Sequence, residues 1–223
     1  MSTPTPPRSV PFLSVLLTCL FAYAVGLALR LWELPLWLDA SFWVAGEPLM
    51  ATHDAYAWMA GAEGAGRLVG RPMSDMLALL HTVTGIELGL INFWLPALLA
   101  PLAAIPVCLL CAYWQRAEAG LVAGVMAAGS LGFLLRTRLG FGDTDVLTLF
   151  LPLGFVLALI VWLTPFLASN WNPGLARLKG LKTTTAPHDP AATTLAFTAP
   201  RWYWAAFVAG CIFLVYSWFY PNA

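Results

Sequence analysis

Charge is what this sequence has least of. Of its 223 residues only 10% are Asp, Glu, Lys or Arg, where a soluble domain carries roughly a quarter, and the mean hydropathy is +0.77. That excludes a soluble globular domain and makes the chain an integral membrane protein. Nor is one sign in excess. Lys plus Arg and Asp plus Glu each number 11, so no basic field invites nucleic acid. Cysteine is scarce too. Cys19, Cys108, Cys111 and Cys211 all stand in apolar runs and read as small buried hydrophobes. Cys108 and Cys111 spell C-x-x-C, but Leu109 and Leu110 lie between them and no second Cys or His pair answers them, which argues against zinc. A cleavable leader is also missing from the pattern: the first apolar run is too long, and ELPLWLDASFW rather than a small-residue cleavage site follows it.

Long apolar runs are what the sequence does have. Crossing about 30 Å of hydrocarbon takes ~20 mostly apolar residues, and five stretches approach that: Val10–Trp32, Leu90–Tyr113, Leu121–Leu135, Val146–Ala168 and Trp202–Tyr220. The third is short and is expected to begin a turn earlier, near Ala119. In it Gly120, Gly124 and Ala128 recur at four-residue spacing, the mark of a helix face that packs closely in lipid. The implied fold class is all-α, a polytopic transmembrane helix bundle of about five spans. A long first outer loop, 33–89, would carry interfacial helices, and a flexible connector, 169–201, would lie on the cytoplasmic side.

The loops supply the orientation. With the N-terminus inside, Arg8, Arg116, Arg177, Lys179, Lys182 and Arg201 are cytoplasmic, against Arg30, Arg67, Arg71, Arg136 and Arg138 outside; Arg67 and Arg71 sit deep in the long loop, where the positive-inside rule does not count them. Nine carboxylates then face outward, leaving only Glu118 and Asp189 inside. Metal or cationic chemistry therefore belongs to the outer surface. In that outer loop Met73, Met76, Leu77, Leu80 and Val83 recur at helical spacing, which predicts an interfacial helix, and Trp32, Trp37 and Trp43 fit an aromatic belt at the lipid boundary.

Against this background LGFGDTDVL, residues 139–147, stands out. Two carboxylates, Asp143 and Asp145, flank one Thr at the mouth of a span. In extended backbone, residues i and i+2 point the same way, so both could converge on one hard cation. Gly140 and Gly142 let the chain turn and approach a ligand closely. The plainer alternative is helix capping, with Thr144 or Asp145 as N-cap of a helix starting near Val146. Arg136 and Arg138 lie just upstream. They either neutralise the acids or hold a phosphate that shares the metal. The second stretch of interest is HDAYAWMAGAEGAGR, a run of helix formers with Thr52 or His53 as cap. There Asp54 stands in the first turn, where the helix dipole alone could explain a carboxylate, and His53 reads as a polar neighbour.

Taken together, GFGDTDVLTLFLPL preceded by LLRTR, HDAYAWMAGAEGAGR in the first outer loop, and the ending LVYSWFYPNA resemble the catalytic subunit of N-linked oligosaccharyltransferases, especially the single-subunit bacterial enzymes. The resemblance runs along the whole chain in the order of spans and loops. It implies that Asp54 and Asp143 are catalytic metal ligands at the extracytoplasmic face of a bacterial inner membrane, with Asp145 completing the acidic motif as a third metal ligand. Arg136 would contact the pyrophosphate of a lipid-linked oligosaccharide donor. All-oxygen ligands imply Mg²⁺ or Mn²⁺, and the acceptor would be a protein or peptide Asn in N-x-Ser/Thr. Two departures accompany it. Gly142 stands where bacterial members usually carry an aromatic. The further spans, the additional acidic ligand and the Trp-Trp-Asp motif of the family's soluble domain are not found in these 223 residues, so the chain alone is expected to be inactive. Other polyprenyl-phosphate glycosyltransferases commonly show Asp-Glu where this chain has His53-Asp54. A transporter would place ionisable residues near the midplane of its spans, whereas Arg30 and Arg136 lie near span ends; a noncatalytic scaffold is the remaining alternative.

Overall fold

The computed structural model describes residues 11–163 and 201–220. Most of the connector expected over 169–201, the flanking residues 1–10, 164–168 and 221–223, and with them Arg8, Arg177, Lys179 and Lys182, lie outside the described residues.

The first helix, α1 (Phe12–Leu31), buries only Cys19, Ala22, Gly26 and Arg30. These fall at steps of three and four, a single stripe along the rod, while Phe12, Leu13, Leu17, Leu20 and Phe21 stay exposed as lipid-facing residues should. A short α2 (Leu34–Trp37) leads into a two-residue hairpin in which β1 (Trp43–Val44) pairs antiparallel with β2 (Glu47–Pro48). Two further helices follow, α3 (His53–Ala62) and α4 (Pro72–Thr84). Pro72 opens α4, where its missing N–H costs nothing, and Gly85 closes it in the left-handed conformation at φ 70°.

Next comes an interrupted rod of 26 residues, Leu88–Tyr113. It consists of α5 (Leu88–Leu99), a 3₁₀ turn over Ala100–Ala103, and α6 (Ala104–Tyr113). Pro96 and Pro101 have no N–H to give the preceding turn, which opens the ladder along this stretch. The run expected to be one helix to Leu135 is two: α7 (Ala117–Gly129) stops at Ser130, whose backbone is extended (φ −58°, ψ 130°), and α8 (Leu131–Arg136) restarts at once. After a 3₁₀ turn over Thr144–Leu147, α9 covers 150–163, and α10 (Arg201–Phe219) ends the described chain. Three helical segments, Phe12–Leu31, Leu88–Tyr113 and Thr144–Leu163, are long and apolar enough to cross a membrane; Ala117–Gly129 and Trp204–Phe219 are shorter apolar helices. The molecule is an all-α membrane bundle.

Small residues set the packing of α1, α6 and α7. A Cβ on Gly26 would lie 2.8 Å from the Ala128 Cβ, and one on Gly124 would lie 2.5 Å from the Cys108 Sγ. Cys108 is thus part of the packing surface, and its thiol donates to the Gly120 carbonyl at 3.2 Å. A second apolar cluster joins Met73 and Leu77 of α4, Leu95 of α5, Val146, Leu147, Leu151, and Phe219 of α10. A third, made of Met50, Ala55, Phe93, Ala97 and Leu139, draws in Leu27, Leu31 and Trp37. Of the expected aromatic belt, Trp32 is 85% exposed. Trp37 instead turns inward, its ring 5.0 Å from that of Phe93; its carbonyl accepts from the Trp43 Nε1 at 2.6 Å.

Candidate functional site

The site is built where the second and third apolar clusters meet. Thr52, in extended conformation, caps α3 by accepting from the Ala55 N–H at 3.3 Å. Asp54 stands in the first turn, its side chain 45% exposed and 3.2 Å from the His53 Nε2. One turn further, Trp58 donates its Nε1–H to the Asp143 Oδ1 at 3.0 Å. Residues four apart share a helix face, so this bond sets Asp143 beside the face of α3 that carries Asp54.

Asp143 is the N-cap, not Thr144 or Asp145, because the span is entered through a 3₁₀ turn that already begins at Thr144. Its Oδ1 also accepts from the Thr144 N–H at 2.7 Å and the Thr144 hydroxyl at 3.3 Å. All three donors reach the same oxygen, and Oδ2 makes no hydrogen bond among the described residues. Asp145 behaves differently. Its Oδ2 takes the Nε of Arg136 at 2.5 Å, with the arginine side chain 71% exposed and the aspartate 24%. The same-side rule for i and i+2 belongs to extended backbone. Asp143 is extended (φ −145°, ψ 169°) but Asp145 lies inside the 3₁₀ turn, so the rule lapses between them and the two acids take different partners. Arg138 pairs with Glu33 at 3.1 Å and lies 4.6 Å over the Phe141 ring.

The segment that carries these residues is held down along its length. Arg30 is fully buried near the end of α1. Its guanidinium reaches the Thr137 carbonyl at 2.9 Å and hydroxyl at 2.6 Å, the Ala128 carbonyl at 3.0 Å and the Gly26 carbonyl at 2.9 Å. Thr137 lies between Arg136 and Arg138, so the clamp fixes the backbone from which both project. Further on, the Gly140 N–H donates to the Phe93 carbonyl at 3.1 Å and the Gly140 carbonyl accepts from Ala51 at 3.0 Å. Gly140 sits at φ 75°, with Trp37 3.1 Å from where its Cβ would be; glycine is required there. At Gly142 the constraint is steric, since a Cβ would overlap the Asn92 side chain. Tyr220, just past α10, donates its hydroxyl to the Thr144 carbonyl and lies 2.8 Å from the Thr148 hydroxyl.

The sequence reading did not single out Trp58, Asn92, Arg30, Thr137 or Tyr220 as parts of the site. Two carried a signal: Asn92 and Arg30 are isolated polar residues in apolar runs, where such groups need a partner. The other acids of the outer loop do not join the site. Glu47, Glu63 and Glu87 line a separate cleft of about 570 Å³ with Tyr56 and His81. Among the described residues no three His, Cys, Asp or Glu side chains group as a metal centre. The donor chemistry of Asp54 and Asp143 suits a hard divalent cation, but the number of ligands falls short.

An all-α membrane bundle with an acid- and arginine-bearing turn at a helix mouth is the class these features define. The model of the oligosaccharyl transferase STT3 N-terminal family matches residues 67–220, a stretch that contains Arg136, Asp143, Asp145 and Tyr220. The chain belongs to that family. It is also similar to the undecaprenyl-diphosphooligosaccharide–protein glycotransferases of two Campylobacter jejuni strains, at 25% identity over 166 residues in each case. The match covers 68% of this chain and 22% of each relative, so the chain spans about a fifth of the length of the curated relatives it matches.

Proposed function

We propose that this chain contributes the metal- and pyrophosphate-binding part of an oligosaccharyltransferase. The reaction moves an oligosaccharide from a polyprenyl pyrophosphate to the side-chain amide nitrogen of Asn in an N-x-Ser/Thr acceptor, at the extracytoplasmic face of a bacterial inner membrane. The bond from the anomeric carbon to the pyrophosphate oxygen breaks, the bond to nitrogen forms, and the amide gives up a proton. The observation that carries the reading is the Trp58–Asp143 hydrogen bond, which brings an acid of the LGFGDTDVL turn to the helix bearing Asp54 although 85 residues separate donor and acceptor in the chain.

Each residue has a role that its surroundings permit. Asp143 keeps Oδ2 for a ligand while Trp58 and Thr144 hold Oδ1. Asp54 is half-exposed at a helix N-terminus, free to accept from the acceptor amide and weaken the delocalisation of its nitrogen lone pair. Arg136 is mostly exposed and, among the described residues, tethered only through Asp145, so its guanidinium is available to grip a phosphate. Mg²⁺ or Mn²⁺ held by Asp54 and Asp143 would neutralise charge on the departing pyrophosphate, with further ligands from water, substrate or elsewhere. Asp145 is then an orienting partner of Arg136 more than a ligand.

Membranes carrying a full-length oligosaccharyltransferase that contains this chain, since the chain alone is expected to be inactive, supplied with a lipid-linked oligosaccharide and an N-x-Ser/Thr peptide, test the reading. Asp54→Ala and Asp143→Ala should each lower transfer by about a hundredfold or more while the protein still inserts. Wild-type transfer rates in both variants would end it.

A further inference from the structure

Among the described residues Asn92 is the one fully buried amide side chain, and it stands between the stretches that carry Asp54 and Asp143. It lies on α5, with no exposed surface. Its Nδ2 donates to the Ala55 carbonyl at 3.1 Å, and Ala55 is the residue after Asp54. The same amide occupies the space where a Cβ on Gly142 would go, and Gly142 is the residue before Asp143. A single planar group thus touches the backbone neighbour of each aspartate, from a helix that belongs to neither stretch.

The local backbone supports this placement. Pro96 has no N–H for the carbonyl one turn before it, so α5 is opened at Asn92, and the next carbonyl, Phe93, accepts from Gly140. Two successive residues of α5 therefore hold the 140–142 segment, one through its backbone and one through its side chain. Asn92 does so at a cost: its Oδ1 is buried without a hydrogen-bond partner among the described residues, a penalty that an isosteric leucine would avoid. A residue retained only to fill space would carry no orphaned carbonyl.

We infer that Asn92 is a positioning residue that sets the separation between Asp54 and Asp143, and that Gly142 is its steric complement. This rests on the reading that the two aspartates act together, but its test does not require transfer activity. The Trp58 indole N–H reports the join directly, because it spans α3 and Asp143.

The purified protein in lipid nanodiscs, labelled with ¹⁵N-indole tryptophan, supplies the readout. One of its 11 tryptophan cross-peaks is assigned to residue 58 by its loss in Trp58→Phe. In Asn92→Ala and Asn92→Leu that cross-peak should move and its hydrogen exchange accelerate by roughly tenfold or more. Leu98→Ala, on the exposed side of the same helix, should leave both unchanged. Gly142→Ala alone should shift the peak as well, and Gly142→Ala combined with Asn92→Ala should return it toward the wild-type position, since the new methyl enters the vacated space. If the single variants do not fold, recovery of folded protein in the double variant still supports the pairing, and no recovery overturns it. A residue 58 signal indifferent to Asn92→Ala and Asn92→Leu also overturns it. Undiminished transfer by Asp54→Ala and Asp143→Ala in the full-length enzyme would instead defeat the proposed function and leave this coupling standing.

Discussion

The membrane bundle and the outer turn are held by opposite means. Where α1, α6 and α7 meet, the contacts are between backbones brought close by Gly26, Gly120, Gly124 and Ala128, and the interface is built from dispersion and shape. At the turn from Thr137 to Thr148 the contacts are polar and made by side chains, Arg30 to the Thr137 carbonyl, Trp58 to the Asp143 carboxylate and Tyr220 to the Thr144 carbonyl, with Asn92 bonding the Ala55 carbonyl alongside. The difference teaches where tolerance lies. A bundle of small residues fails when something is added, and a polar clamp fails when something is taken away.

The first way to break this comparison is therefore to add. Gly124→Val places methyl groups where a bare Cβ is already 2.5 Å from the Cys108 Sγ, 3.2 Å from the Ala22 Cβ and 3.3 Å from the Ala104 carbonyl. Overpacking costs typically ~1–3 kcal/mol and sometimes more, and here backbone sits on one side. Thermal unfolding in detergent should show the largest loss of any variant considered, and Gly210→Val, whose Cβ would meet nothing within 4 Å, should show almost none.

Taking away tests the other half. Arg30→Met keeps an apolar stem but leaves the Thr137 and Ala128 carbonyls without their donor, at about 1–3 kcal/mol for each buried group left unpaired. The loss is offset in part because a buried guanidinium with no carboxylate partner in its reach no longer has to be desolvated. A net fall of roughly 1–3 kcal/mol is expected, smaller than for Gly124→Val, with protease cleavage appearing first near Thr137. Unchanged susceptibility there would mean that the clamp does not hold the turn. Trp58→Phe removes one hydrogen bond to an ionised carboxylate and keeps the ring's packing, so about 1–2 kcal/mol is the expected loss.

How far these two regions were legible in sequence follows the same division. The spacing of Gly120, Gly124 and Ala128 announces a packing face because the partners need only be smooth and close, and the rod of α4 is readable from Met73 to Leu80 for the same reason of period. The outer turn is different. Arg30 and Thr137 lie 107 residues apart, Trp58 and Asp143 85, and no local pattern encodes such pairs. GFGDTD marked the place and the glycines marked a tight backbone. That Gly142 yields to Asn92, and that Asp143 stays extended as the cap of a 3₁₀ turn holding Asp145 against Arg136, are consequences of tertiary contact and of where that turn begins. The break at Ser130 was hidden too, because an apolar run does not show where its helix stops.

Arg136 sharpens the comparison furthest because it should matter least to the fold. Its pair with Asp145 is exposed on the arginine side, and exposed ion pairs contribute between about 0 and 1 kcal/mol and are screened by salt. Arg136→Gln should therefore leave thermal unfolding within about 1 kcal/mol of wild type. If the guanidinium grips the donor's pyrophosphate, the same change should raise the donor's KM and lower transfer by about tenfold or more. Arg136→Lys should recover only part, since a point charge lacks the planar fork that meets two phosphate oxygens at once. A variant as stable and as active as wild type would return Arg136 to the role of a surface counter-ion for Asp145. A stable variant that has lost donor affinity would separate the residues that build this turn from the one that the turn exists to present.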